Sequence, residues 1–264
     1  MRAAASWIGF AALAVMALAA CEDVPPTPAA SIAPSATPSA QVATVTSVLE
    51  PPTGPITAGD TTPAGAALAA AGIRTAQAGS LRMKLVAHVG SPGAARSLDV
   101  SGAGESESAA RSHVLVVVTL SGRTITTESL GYDGALYSRK ENEPWQRISK
   151  AGSARADPRN YLNFVSGSHG VVDVGPGTRG GAPAEQYQAL ASGAVGSNQP
   201  AGPAPTASTS TSPVKVRAWV DRASGRLVGM DLLFPDIGAG PGNMSIDFSD
   251  FGATIKVSPP SPAP

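Results

Sequence analysis

A thiol at Cys21, imidazoles at His88, His113 and His169, and scattered carboxylates are the reactive groups this chain offers. A thiol becomes a nucleophile on deprotonation, and Cys21 is the only cysteine. It follows Leu18-Ala19-Ala20 and precedes Glu22-Asp23-Val24-Pro25-Pro26, where an apolar run beginning at Trp7 stops. A positive start at Arg2, a short apolar core and small residues at the junction have the form of a cleavable secretory signal over residues 1–20. The other reading is an uncleaved anchor helix, for which the run is short against the ~20 residues of a span. His88 falls on the polar side of an alternating stretch and His113 begins another. Neither has a carboxylate at a ligand-like spacing, so both read as solvated surface. Ser166-Gly167-Ser168-His169-Gly170 misses the nucleophile elbow, because Ser166 stands where the first glycine is needed. Gly177-Thr178-Arg179-Gly180-Gly181 lacks the lysine of a phosphate-binding loop. Asp247 and Asp250 are close enough in sequence to pair, yet Asp250-Phe251-Gly252 reads as a turn. The expectation is therefore no catalytic residue, no metal and no cofactor.

Leu18-Ala19-Ala20-Cys21 resembles the lipobox of bacterial lipoproteins. The resemblance implies cleavage before Cys21, a thioether-linked diacylglycerol on its sulfur, and a domain held at the outer face of the cell membrane. At ~0.8 kcal/mol per buried methylene, two long chains give on the order of 20 kcal/mol, so no polybasic segment is needed. Loss of the first twenty residues removes one cation, Arg2, and turns a formal net charge of 0 into −1. No basic stripe stands out, which argues against nucleic acid. With the one cysteine consumed by lipid, no disulfide is available and the domain must be stable through its core. The 29 glycines, 24 prolines and 14% charged residues point to many loops.

The elements that must position any site begin after residue 57. Residues 22–57 are Pro-, Ala-, Ser- and Thr-rich, with no apolar period and too little bulk to offset their ordering entropy. They form the linker of a chain whose folded domain runs over residues 58–260, with a tail at 261–264. Thr61 or Thr62 caps a helix that starts at Pro63 and stops near Gly79, with Leu68, Ala71, Gly72, Thr75 and Ala76 on one face. The period then changes to two. Strands are predicted at 81–89, 97–102, 113–120, 123–130 and 145–148, with an Asp133-Gly134 hairpin and an exposed turn at Glu105-Ser106-Glu107-Ser108. A short helix starts at the Asp157-Pro158 cap, and 185–190 is one further strand. Residues 192–212 are low-complexity and read as a mobile insertion. The last strands are 214–221, 227–234 and 243–251, before Ile255-Lys256-Val257 and Ser258-Pro259-Pro260.

Nearly every strand has one apolar and one polar face, so one antiparallel sheet must cover its apolar side with two or more short helices. The fold class is α+β, with a curved sheet forming an incomplete barrel. Such a sheet either packs its interior or encloses a cavity, and periodicity does not distinguish the two.

Val216-Arg217-Ala218-Trp219-Val220-Asp221-Arg222-Ala223-Ser224-Gly225-Arg226 and Asp250-Phe251-Gly252 through Val257-Ser258-Pro259-Pro260 carry a further resemblance. So do Asp133-Gly134-Ala135-Leu136-Tyr137-Ser138-Arg139 and Trp145. Together they resemble the LppX/LprAFG-type lipoproteins of actinobacteria, which are similar to the LolA/LolB lipoprotein carriers. The match covers roughly residues 64–260, and departs from the family in the 192–212 insertion and in having no motif that names a ligand. It implies a monomeric envelope lipoprotein that binds or carries a lipid or glycolipid in a hydrophobic cavity. Met83, Leu85, Val116, Val118, Val216, Val220, Met230, Leu232, Phe234, Ile246 and Phe248 are then the cavity lining. The alternative is an interaction or sensor lipoprotein with the same fold, a packed core and no ligand.

Overall fold

A computed structural model describes residues 60–90, 97–149, 152–191, 213–235 and 240–261. The signal segment, Cys21, the linker and the 192–212 insertion lie outside the described residues.

Helix α1 spans Pro63–Ala76, with Pro63 in its first turn and Thr62 as cap, its hydroxyl accepting from the Gly65 amide at 3.1 Å. Such a cap contributes about 1 kcal/mol. Leu68, Ala69, Ala71, Gly72 and Thr75 make its buried face. Asp60 fastens the entry, accepting from the Thr62 amide at 2.9 Å and from the Val171 amide at 2.8 Å.

Eleven antiparallel strands follow: β1 Leu81–Val89, β2 Leu98–Ser108, β3 Arg111–Leu120, β4 Arg123–Tyr132, β5 Ala135–Lys140, β6 Gln146–Ser149, β7 Ser168–Arg179, β8 Ala182–Ala191, β9 Val214–Asp221, β10 Leu227–Phe234 and β11 Gly242–Ser249. Their order is β6-β5-β4-β3-β2-β1-β11-β10-β9-β8-β7, an open sheet made of two meanders that meet where β1 pairs with β11. The chain passes from one edge to the other through two 3₁₀ turns, Ser153–Ala156 and Pro158–Leu162, and a single helical turn, α2 Asn163–Ser166. This crossing and α1 cover part of the inner face.

Two readings of the sequence change. Glu105–Ser108 is strand, not turn: Ser106 points inward and is fully buried, while Glu105 and Glu107 face out beside Arg82 and Arg111. The predicted short helix is mostly 3₁₀, with Asp157 capping it by accepting from the Arg159 amide at 3.0 Å. Glycine permits the crossing to lie flat. At Gly131 an added Cβ would collide with the Ser153 carbonyl, and at Gly104 it would press on Pro158 at 3.2 Å.

A second apolar cluster sits on the outer face. Leu130 and Trp145 pack there against Ile255 and Val257 of the extended C-terminal segment, beside Tyr132 and Tyr137. Glu107 accepts from the Val257 amide at 3.1 Å and holds this segment down.

Candidate functional site: the inner face of the sheet

Registration across the strands assembles the predicted lining residues into rows. One row runs Val116, Gly102, Leu85, Ile246, Met230 and Ala218, from β3 to β9. The next runs Val118, Val100, Ala87, Met244, Leu232 and Val216. Met83 faces Phe248, Val220 faces Leu227 and Phe234 faces Gly242, which places these residues in the rows on either side. Ala87, Val100, Met244 and Ala218 join the rows although they were not singled out. Their parity with the chosen residues was the signal for them.

Burial divides the rows. Met83, Leu85, Val216, Val220, Met230, Leu232, Phe234, Ile246 and Phe248 are buried. Met230, Leu232 and Ile246 have no exposed surface at all, so no water-sized void touches them. Leu68 and Ala71 of α1 are equally buried. Towards β3 and β4 the cover ends: Val116, Val118, Leu120 and Ile125 are only half-buried. Between Val116 and Leu85 the row passes Gly102, where the side-chain layer is interrupted. The nearest side-chain atoms to a Cβ there would be Leu85 Cβ at 3.7 Å and Val116 Cγ2 at 3.8 Å, with the Leu115 carbonyl oxygen at 3.2 Å. Val116, Val118, Leu120 and Ile125 thus form a partly covered apolar strip at the β3–β4 end of the inner face.

Polar groups border the covered end. Arg159 donates to the Gly79 carbonyl at 2.6 Å and to Ser106 Oγ at 2.8 Å, and lies 3.5 Å from Asp157. Burial raises the Asp157 carboxyl above the ordinary range, against the pull of Arg159. These contacts anchor the crossing segment.

The outer face carries two further clusters. Glu128 accepts two hydrogen bonds from Arg139, both at 3.0 Å, and lies 3.1 Å from His113 Nε2. Burial pushes its carboxyl upward, but the bonds and charges of Arg139 and His113 outweigh this and hold it below the usual range. His113 is thus a cross-strand partner of a carboxylate, and so is His88, 2.7 Å from Asp99. Arg179, at the end of β7, reaches over Trp219 at 4.3 Å and pairs with Asp231 at 3.1 Å and Asp247 at 2.6 Å. Among the described residues no cluster of three metal-ligating side chains occurs.

No family model and no curated protein matches the chain. Solved structures do. It is similar to LprF from Mycobacterium bovis, at 13% identity and a TM-score of 0.49, over 75% of this chain and 96% of that one. It is similar to the lipoprotein LppX from Mycobacterium tuberculosis, at 14% identity and a TM-score of 0.41, over 73% and 98%. It is also similar to a LolA-superfamily protein from Nitrosomonas europaea, at 14% identity and a TM-score of 0.27, over 74% and 96%.

Proposed function

We propose that the chain is an envelope lipoprotein, tethered through an acylated Cys21, that binds the acyl chains of a lipid or glycolipid along the inner face of its sheet. The observation that carries this reading is the incomplete cover of Val116, Val118, Leu120 and Ile125, which are half-buried and continuous with the buried inner rows. Apolar surface left open inside a curved sheet is a place for an apolar ligand. An acyl chain lies against Val116, Val118 and Ile125, the part of the inner face that α1 and the crossing segment leave partly covered. Covering ~400 Å² of chain is worth at most ~10 kcal/mol before ordering costs. The residues touching this surface are apolar, so the role is binding or carriage without catalysis.

A second reading rests on the absence of any exposed surface at Met230, Leu232 and Ile246. It is a tethered interaction module with a filled core. Native mass spectrometry of the purified mature chain, together with titration of a fluorescent fatty-acid probe, separates the two. Co-purified lipid or saturable probe uptake supports carriage; a clean chain that ignores the probe leaves the interaction module. Cys21→Ser tests the tether independently, since the variant should leave the membrane fraction.

A further inference from the structure

On the outer face, between β7 and β10, lies a groove of about 540 Å³ lined by Val172, Leu190 and Leu233 together with Lys215, Arg217 and Asp231. Val172 is 60% and Leu233 52% exposed, and the two share one groove. Lys215 faces Leu190 on one side and Leu233 on the other, and Arg217 faces Asp231, so apolar and cationic side chains alternate across three strands. Among the described residues neither Lys215 nor Arg217 makes an ion pair. Asp231, the one carboxylate of the lining, is already engaged by Arg179 at 3.1 Å and by the Ser245 hydroxyl at 2.8 Å. The groove therefore presents two cations and one already engaged carboxylate around exposed aliphatics, a net positive lining.

We infer that this face docks the domain onto an anionic phospholipid bilayer. Aliphatic side chains enter the headgroup boundary while cations meet lipid phosphates, a division of labour that interfacial segments use. The position of the chain entry supports the same occupant. Asp60, where the described chain begins, is bonded to the Val171 amide, next to Gly170 and Val172 of the groove wall. The described domain is thus entered beside this face. A tether through Cys21 would keep the groove at high effective concentration near the membrane and make weak docking sufficient. The orientation argument rests on the tether proposed above; the charge and apolar pattern does not.

Flotation of the unacylated mature chain, residues 21–264 carrying Cys21→Ser, with phosphatidylcholine vesicles containing or lacking phosphatidylglycerol tests the face without the tether and without any acyl ligand. The chain should float with the anionic vesicles and not with the neutral ones, and added salt should release it. Each cation near an anionic leaflet contributes about fivefold to partitioning, so Lys215→Gln with Arg217→Gln should lose roughly thirtyfold. Leu233→Ser should also weaken binding. Arg147→Gln with Lys256→Gln, a charge-matched pair elsewhere, should stay within about twofold of the parent. Absence of binding to anionic vesicles, equal binding to neutral ones, or an equal loss in the control pair would each overturn the proposal. Loss of probe uptake with intact flotation would sink the cargo reading alone.

Discussion

The hydroxyl of Thr75 in α1 accepts the amide of Leu227, the first residue of β10, at 2.8 Å, while donating to the Ala71 carbonyl at 2.8 Å. Both residues are without exposed surface. A helix of small residues is thereby fixed to the sheet by one buried polar contact. Thr75→Val keeps the shape and leaves the Leu227 amide unpaired, which should cost about 1–3 kcal/mol. Thr75→Ser should recover most of it. Urea midpoints of the three chains are the check; equal midpoints would show that α1 is held by packing alone.

Gly131→Ala should destabilise by about 1–3 kcal/mol, the usual result of overpacking. Its Cβ would meet the Ser153 carbonyl, which is backbone and has nowhere to retreat. Thermal unfolding measures this. A variant as stable as the parent would mean that the crossing segment can lift from the sheet at little cost.

The Glu128 carboxyl titrates below its unfolded value, so the stability it contributes is present above the ordinary carboxylate pKa of about 4.3 and is lost as pH falls through the depressed folded value. Glu128→Gln should unfold more easily at neutral pH and should flatten the acid side of the stability profile below about pH 4. Denaturant midpoints between neutral pH and pH 3 would show it. Parallel profiles for parent and variant would assign the acid limb to other carboxylates.

Arg179→Ala should uncover Trp219 and shift its fluorescence to longer wavelength, with a stability loss of about 1 kcal/mol, the scale of a partly exposed cation–π contact. Arg179→Lys should restore only part of the emission, because an ammonium cannot place separate donors on Asp231, Asp247 and Ser245. An unchanged spectrum in the alanine variant would show that Trp219 is shielded by other groups.

Val118→Asn places a polar amide in the partly covered apolar strip of the inner face, at a position that is half-buried rather than core. It should reduce fatty-acid probe uptake by about tenfold or more, with stability changed by no more than about 1 kcal/mol. Full uptake by this variant would move the ligand away from β3.

Alternation of apolar residues made β1, β3, β9, β10 and β11 legible, and with them the identity of the inner rows. The α1 cap was legible because Thr62-Pro63 has a local mechanism. β7 was not, since Gly170, Gly175 and Pro176 break its pattern and its pairing with β8 shifts register twice. The end of β2 was missed because its inward residue is Ser106, which is held by polar contacts to Arg159 and the Ser108 carbonyl. The outer cluster of Leu130, Trp145, Ile255 and Val257 was invisible because period-two reasoning assigns the opposite face to water. Which residues face inward can be read from letters; how far α1 covers them depends on its length and placement, which periodicity does not encode.

Met83 sits beside Phe248 because the first strand and the last are neighbours at the centre of the sheet. Each meander alone therefore presents a long bare border, β1 in one and β11 in the other. A chain that ends between residues 235 and 241 has no β11 to join them and leaves both β1 and β10 open to pairing with other molecules. The β1–β11 seam joins residues near the two ends of the domain, and such non-local pairing is the kind that slows folding.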